Sequence, residues 1–136
     1  MGGSFIIFDT SVFIDHVRTS RHQERIESVT GLVRTSSVVL AELWRGATKS
    51  AERRFLVALQ RNHPIVTPTE KNWLESGQTL ARIRAETGFP PEKLRDLHFD
   101  VLIALTARTH GALLITSNRA DFELVKRFRD FQLQIW

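Results

Sequence analysis

Short apolar runs alternate with amphipathic stretches along this chain of 136 residues. The apolar runs predict five strands, at residues 5–8, 32–35, 64–66, 112–116 and 132–136. The stretches between them have the apolar spacing of helices, which we expect at residues 11–18, 22–30, 38–46, 50–61, 68–88, 97–110 and 121–128. Strands that alternate with helices indicate a parallel sheet with helices on both faces. The pattern therefore predicts a single α/β domain over residues 1–136, a three-layer α/β/α sandwich with a central parallel sheet.

Two of the predicted helices have distinctive features. Thr67 as N-cap, Pro68 at the first helical position and Glu70 at the third have the spacing of a capping box. Apolar and small residues of the helix that follows share one face: Trp73, Gly77, Leu80 and Ala81. After a loop at residues 89–91, the helix at 97–110 is apolar on nearly every side, which is typical of a central, buried helix.

The composition narrows the class of protein. Hydrophobic residues make up 42% and charged residues 25% of the chain, a balance that excludes disorder for most of it. Cysteine is absent, so disulfides and thiolate metal sites are excluded. No apolar run approaches the roughly 18 residues of a membrane span. Met1–Ser4 contain no basic residue, so we expect no signal peptide and a cytoplasmic domain.

Three acidic residues lie within or beside apolar segments. Asp9 follows the first strand, Glu42 interrupts an apolar helical run, and Asp100 stands at the head of the buried helix. A buried carboxylate without a partner is costly, so each needs a neighbour or a neutralising proton. Because parallel strands end at one edge of the sheet, Asp9 should lie near the residues that follow the fourth strand. These residues are polar: Thr116, Ser117, Asn118 and, one helical turn later, Asp121.

Carboxylates that share one hollow repel each other, which raises their pKa values or recruits a cation. Oxygen ligands without cysteine or a clear histidine cluster favour Mg²⁺ or Mn²⁺ over Zn²⁺. Such an ion polarises a phosphate and lowers the pKa of bound water, and phosphodiester cleavage needs both effects. The sequence therefore favours a metal-dependent site for phosphodiester cleavage.

Each of these residues also has an ordinary structural explanation. Asp9 can cap the first helix, Glu42 can keep its head group in water, and Asp100 can be a first-turn acid that favours the helix dipole. A solvated first-turn position or a plain capping role would equally explain several others: Asp121, Thr10, Ser11 and Ser117. The coincidence of the first three acids is harder to explain in this way and favours a shared site.

Four segments resemble the PIN-domain ribonucleases, and among them the VapC toxins of bacterial toxin–antitoxin pairs. They are Phe-Asp-Thr-Ser at residues 8–11, Ser-Val-Val-Leu-Ala-Glu-Leu-Trp-Arg-Gly at 37–46, Asp-Val-Leu-Ile-Ala-Leu-Thr-Ala-Arg at 100–108, and Leu-Leu-Ile-Thr-Ser-Asn-Arg-Ala-Asp-Phe at 113–122. The resemblance covers nearly the whole chain, and the segments occur in the family's order and spacing.

The resemblance implies a role for each matching position. The catalytic and metal-binding acids would be Asp9, Glu42, Asp100 and Asp121, with Asp9 and Asp100 as the first choices for metal ligands. Glu42 would bind the metal directly or orient the attacking water. Some members carry the fourth acid directly after the strand, where this chain has Asn118. Supporting positions would be Thr10, Ser11, Thr116, Ser117 and Asn118.

The resemblance further implies a Mg²⁺- or Mn²⁺-dependent endoribonuclease that cleaves single-stranded or loop RNA and arrests growth. It also implies a homodimer and a VapB-type antitoxin whose C-terminal segment covers the active site. The net charge of +4, carried by 15 arginines among 19 basic residues, agrees with an anionic partner. We expect Arg119 to clamp a phosphate. We also expect Arg45, Arg53 and Arg54 to bind RNA, unless their stretch of the chain is a solvated helix face or a surface for the antitoxin or a second subunit.

Other classes fit the sequence less well. A phosphoacceptor signalling domain needs adjacent acids after an early strand, and a haloacid-type phosphatase needs Asp-x-Asp, whereas Asp9 is followed by Thr10 and Ser11. A catalytically weak or inactive PIN scaffold that binds RNA or protein stays open because Asn118 departs from the acid found in some members. The retained acids Asp9 and Glu42 argue against it, as does Asp100.

Overall fold

The computed structural model describes residues 5–136, so the expectations for Met1–Ser4 lie outside the described residues. The helices of this part are α1 Thr10–Thr19, α2 Gln23–Val29, α3 Ser37–Gly46, α4 Ser50–Asn62, α5 Glu70–Thr87, α6 Pro91–Thr109 and α7 Arg119–Phe128. The strands are β1 Ile6–Phe8, β2 Thr35–Ser36, β3 Ile65–Val66, β4 Leu113–Thr116 and β5 Gln132–Ile135. All five predicted strands have a counterpart, although β3 is shorter than expected. Strand β2 overlaps the predicted range of 32–35 only at Thr35, because Thr30–Leu32 form a 3-10 helix. Over residues 5–136, none of the helices combines the length and apolar character of a membrane span.

The strands are parallel and follow the order β3-β2-β1-β4-β5. Strands β1, β4 and β5 form a three-stranded sheet with β4 in the middle, and β2 pairs with β3. A parallel bridge between Ile6 and Val33, with the Arg34 N–H donating to the Ile6 carbonyl at 2.9 Å, brings the pair beside β1. Successive residues of β1 are all buried, so both faces of the sheet are covered. The predicted α/β/α sandwich with a central parallel sheet is confirmed.

Helix α5 begins two residues later than the capping box predicted at Thr67, Pro68 and Glu70. Its N-cap is Thr69, whose side chain accepts from the Asn72 N–H at 3.0 Å, while the Asn72 side chain accepts from the Thr69 N–H at 3.0 Å. The Asn72 amide also donates to the Thr109 hydroxyl at 2.9 Å. This contact with the end of α6 is invisible in the local sequence.

Helix α5 buries mostly polar side chains and leaves two large apolar side chains exposed. Its buried residues are Asn72, Ser76, Thr79 and Ile83. Asn72 and Ser76 bond to α6, and Thr79 accepts from Arg129 at 2.9 Å. On the opposite side, Trp73 and Leu74 are 50% and 63% exposed. The apolar face predicted from sequence therefore exists but leaves much of its surface outside the core.

Helix α6 extends further towards its N-terminus than the predicted range of 97–110. It begins at Pro91, a favourable first helical residue because proline lacks the N–H that would be left unpaired there. Its segment Val101–Ala107 is buried throughout, which confirms the predicted central helix. The longer helix moves Asp100 out of the first turn, so the interpretation of Asp100 as a first-turn acid is wrong.

Candidate active site

Asp9 lies at the carboxyl end of β1 and caps helix α1. Its Oδ2 atom accepts hydrogen bonds from the Ser11 N–H at 3.4 Å, the Ser11 hydroxyl at 2.7 Å and the Thr116 hydroxyl at 2.8 Å. The residue is only 3% exposed, and burial raises the pKa of Asp9 although these hydrogen bonds oppose the rise. Asp9 therefore combines the capping role with a place in a buried polar cluster.

Hydroxyl groups join the ends of β1 and β4 around this carboxylate. The Ser11 Oγ accepts from the Ser117 N–H at 3.0 Å, and the Thr116 Oγ1 accepts from the Asn118 N–H at 2.9 Å. These bonds hold the β4–α7 connection against the start of α1. The structure thus places the predicted supporting residues Ser11, Thr116 and Ser117 beside Asp9, across more than a hundred residues of sequence.

Glu42 reaches the same region from helix α3. Its Oε1 atom accepts from the Thr10 hydroxyl at 2.8 Å, which ties α3 to the first residue of α1. Burial and, secondarily, the charge of Asp9 raise the pKa of Glu42, while Thr10 and Arg45 oppose the rise. Glu42 is half-buried rather than fully solvated, so its carboxylate belongs to the cluster around Asp9.

Asp100 is the acid on which the charges of the other three all act. Burial, followed by the charges of Asp9, Asp121 and Glu42, raises the pKa of Asp100 to about 8, and Lys93 opposes the rise. Charge interactions of this kind extend over about 8 to 10 Å at physiological ionic strength, so Asp9, Glu42 and Asp121 lie within roughly that distance of Asp100. The region between these four acids, beside the ends of β1 and β4, is called the hollow below.

Both oxygens of Asp121 have partners. The Lys93 ammonium donates to Oδ1 at 3.0 Å, and the Asn118 amide donates to Oδ2 at 3.1 Å. Asn118 also caps α7 by accepting from the Asp121 N–H at 3.4 Å. Lys93 was not singled out from the sequence. Its position two helical turns before Asp100 indicates a shared face only once the true start of α6 is known.

The chemistry of the hollow suits a hard divalent cation. Its donors are carboxylate oxygens that repel one another, and a doubly charged cation would relieve this repulsion. Over residues 5–136, no three acidic or histidine side chains are close enough as they stand to hold one ion. The donor set therefore fits Mg²⁺ or Mn²⁺ in kind, and an ion shared by three carboxylates requires their side chains to draw together.

The four arginines predicted to bind RNA occupy different places. Arg45 lies beside Glu42, with its guanidinium over the Phe99 ring at 5.6 Å from the centroid. All four are exposed: Arg45 on α3, Arg53 and Arg54 on α4, and Arg119 at the start of α7. Arg119 forms an ion pair with Glu123 at 2.7 Å. Arg45 is thus the member of this set whose charge acts on an acid of the hollow.

An apolar groove runs next to the hollow, between α1, α3 and α4. It has a volume of about 220 Å³, and Glu42 forms part of its wall. Its apolar lining includes Phe13, Ile14, Val17, Leu43 and Phe55. Phe13 is buried, whereas Ile14 and Val17 are 37% and 48% exposed. The groove therefore offers an accessible apolar surface that leads to the carboxylates.

In proteins with an open parallel α/β sheet, ligands bind at the carboxyl ends of the strands. The fold and the acids at that edge therefore place this chain among α/β proteins with a carboxylate site there. The sequence pattern of the family described as PIN domain matches residues 6–127. The chain therefore belongs to the PIN domain family, whose members are generally nucleases.

Solved structures of toxin–antitoxin complexes share this fold. One chain of DNA-bound VapBC from Salmonella typhimurium is 24% identical, with 98% of both chains covered and a TM-score of 0.70. VapBC-1 from nontypeable Haemophilus influenzae is 24% identical, with 97% of this chain and 98% of that chain covered and a TM-score of 0.70. A toxin–antitoxin complex from Klebsiella pneumoniae is 26% identical, with 86% and 89% covered and a TM-score of 0.55. No curated protein matches the chain.

Proposed function

We propose that this protein is a Mg²⁺- or Mn²⁺-dependent endoribonuclease that acts as the VapC-type toxin of a toxin–antitoxin pair. The observation that carries the proposal is the polar cluster at the strand ends of a PIN fold, in which Ser11 and Thr116 donate to Asp9 and Thr10 donates to Glu42. The likeness to VapBC complexes supports the toxin role. We also propose that the protein acts in the cytoplasm, where its RNA substrate would be found.

In the proposed phosphodiester hydrolysis, the residues of the hollow have different roles. Asp9 and Asp100 would hold the ion, which when bound polarises the phosphate and makes water a better nucleophile. Ser11 and Thr116 fix Asp9 Oδ2 through their hydroxyls. Glu42, with its raised pKa, either joins the ligand set or accepts a proton from the attacking water. Asp121, predicted as the fourth acid, is a ligand only if it leaves its present partners.

RNA cleavage by the purified protein tests the proposal. Single-stranded and hairpin RNAs are incubated with Mn²⁺, with Mg²⁺ and with a chelator in place of either ion. We expect cleavage with the ions and none with the chelator, because the carboxylates alone cannot neutralise the charge that develops on the phosphate. RNA binding without cleavage under all three conditions would favour the inactive scaffold. The structural feature that favours this alternative is that both oxygens of Asp121 already have hydrogen-bond partners.

The exposed arginines of α4 should contribute to RNA affinity through charge. Replacing Arg53 and Arg54 together by Glu should weaken RNA binding and lower the slope of log K against log[salt] by about 1 to 2, as expected when two phosphate contacts are lost. Filter binding or fluorescence anisotropy over a salt series measures the slope. The matched control replaces two exposed arginines of other segments, Arg21 and Arg84, by Glu. Equal slopes in both variants would assign the α4 face to another role.

We further propose that the apolar groove receives the C-terminal segment of a VapB-type antitoxin, with a basic side chain directed at the carboxylates. Replacing Val17 by Glu should abolish neutralisation and leave RNA cleavage within about twofold, because Val17 is exposed in the groove and contributes little to the core. Co-expression with the product of a neighbouring small reading frame measures neutralisation as growth rescue. Rescue equal to that of the unaltered chain would contradict this docking mode.

A second copy of the chain is the partner that we propose for the exposed face of α5. Trp73 and Leu74 are large apolar side chains that are at least half exposed, and a homodimer would bury them on both subunits. Sedimentation of the unaltered chain and of a variant with Trp73 replaced by Glu would measure this association. A monomeric wild type would contradict it.

A further inference from the structure

Lys93 and Asp121 form an ion pair at the edge of the acidic hollow. The ammonium lies 3.0 Å from Asp121 Oδ1, and the two side chains are 36% and 25% exposed. The pair joins the first turn of α6 to the first turn of α7, across 28 residues of sequence. Because it is partly shielded from water, salt screens it less than a fully exposed pair.

The pair changes the charge of the hollow. Three acids, Asp9, Glu42 and Asp100, have no lysine or arginine within ion-pair distance in the described residues. Asp121 has its charge balanced by Lys93 and its second oxygen occupied by Asn118. The influence of Lys93 extends beyond its partner, since its charge also opposes the rise in the pKa of Asp100.

The ammonium retains capacity for another partner. A lysine has three N–H donors, and the one described hydrogen bond of the Lys93 ammonium, to Asp121, uses one of them. Its side chain is accessible at the rim, on the Asp121 side of the hollow, whereas Arg45 stands on the Glu42 side. A phosphodiester drawn to the hollow would therefore meet a cation at each side.

We propose that Lys93 contacts a phosphate of the RNA while its ion pair keeps Asp121 out of the metal ligand set, so that the hollow holds one divalent cation. This inference rests on the proposed nuclease function. The positive charge beside Asp121 then comes from the Lys93 ammonium rather than from a second metal ion. Removal of the ammonium should then have opposite effects on the two ligands.

Replacing Lys93 by Met tests this with Mn²⁺ and RNA measured separately. Calorimetric titration of the RNA-free protein should give one Mn²⁺ per wild-type chain and about three- to tenfold tighter binding in the variant, since a nearby positive charge is lost. The KM for a single-stranded RNA should rise about tenfold because a charged phosphate contact is lost. Replacing Lys93 by Arg should retain both values within about threefold, because the charge is kept.

The control is replacement of Lys71 by Met, which removes a fully solvated lysine paired with Glu75 at 3.6 Å. It should change neither the Mn²⁺ affinity nor the KM by more than about twofold. A merely structural role of Lys93 would lower the melting temperature and weaken both ligands together. Melting curves of every variant identify that outcome, and it would overturn the inference.

A double variant separates a charge effect from metal ligation. Replacing Lys93 by Met and Asp121 by Asn together leaves the net charge of the hollow unchanged. Its Mn²⁺ affinity should stay within about threefold of wild type if Asp121 is not a ligand. A tenfold or greater loss, or two Mn²⁺ ions per wild-type chain, would overturn the inference.

The results also separate this inference from the proposed function. A wild type that binds Mn²⁺ and cleaves RNA, with a Lys93→Met variant unchanged in both measurements, overturns the role of Lys93 alone. A wild type that neither binds Mn²⁺ nor cleaves RNA overturns the nuclease proposal and the role of Lys93 with it.

Discussion

Replacement of Asp100 by Asn is expected to reduce RNA cleavage by more than about 100-fold, since loss of residues that merely support metal ligands already costs about 10- to 100-fold. Asn has nearly the same shape as Asp but carries no charge, so the fold should be retained. Asp100 is the acid on which the charges of the other three converge. Unlike the carboxyl of Asp100, an amide there cannot release a proton to become an anionic ligand for a divalent ion.

The helix itself offers a matched control. Asp96 lies one turn before Asp100 on α6 and is exposed, so its replacement by Asn should leave cleavage within about twofold. Cleavage rates of purified proteins at saturating Mn²⁺ measure the effect, and Asp9→Asn should behave like Asp100→Asn. If the protein is a toxin, Asp100→Asn should also relieve growth arrest. Wild-type cleavage by the Asp100 or Asp9 variant would point to a contaminating nuclease.

In the absence of divalent ions, the folding stability of the protein is expected to decrease as the pH rises. The pKa of Asp100 is about 8 in the folded chain and near 3.8 when unfolded, so the folded state retains a proton that the unfolded state releases between these values. The contribution of Asp100 to folding stability is therefore lost as the pH rises through this interval. Between pH 6 and pH 8, Asp100 alone should lower the free energy of unfolding by about 2 kcal/mol, and the lowered pKa values of His63 and His98 oppose part of this fall.

The raised pKa values of Asp9 and Glu42 act in the same direction. An ion that takes the place of the protons should reverse the trend, so Mn²⁺ should raise the melting temperature more at pH 8 than at pH 6. Thermal melts in chelator and in Mn²⁺ at both pH values measure this. Asp100→Asn should flatten the pH dependence in chelator, and Asp96→Asn should not. A metal-free protein equally stable at both pH values would contradict the charge arrangement described above.

Strands and central helix could be predicted because their signals are local and strong. Phe5-Ile6-Ile7-Phe8 is apolar throughout, and so is most of the helix after Asp100. Both are buried as predicted. Helix starts were less predictable, since residues 67–70 hold two threonines that can cap a helix. The choice of Thr69 involves the contact between Asn72 and Thr109 on a distant helix.

The acids of the hollow could likewise be selected from local features of the sequence. Residue type and place in an apolar segment were enough to select Asp9, Glu42 and Asp100, because a carboxylate in such surroundings is too costly to be there without a function or a partner. The parallel order of strands also predicted that Asp9 would lie beside Thr116, because parallel strands end at one edge. None of these conclusions required coordinates.

Only the tertiary structure decides where a side chain meets a partner from a separate helix. The outward apolar face of α5 depends on which side packs against α6, and periodicity is the same for either orientation. The pairing of Lys93 with Asp121 depends on the packing of α6 against α7. Amino-acid order governs local hydrogen bonding and burial preference, whereas contacts between distant helices arise only when the whole core packs.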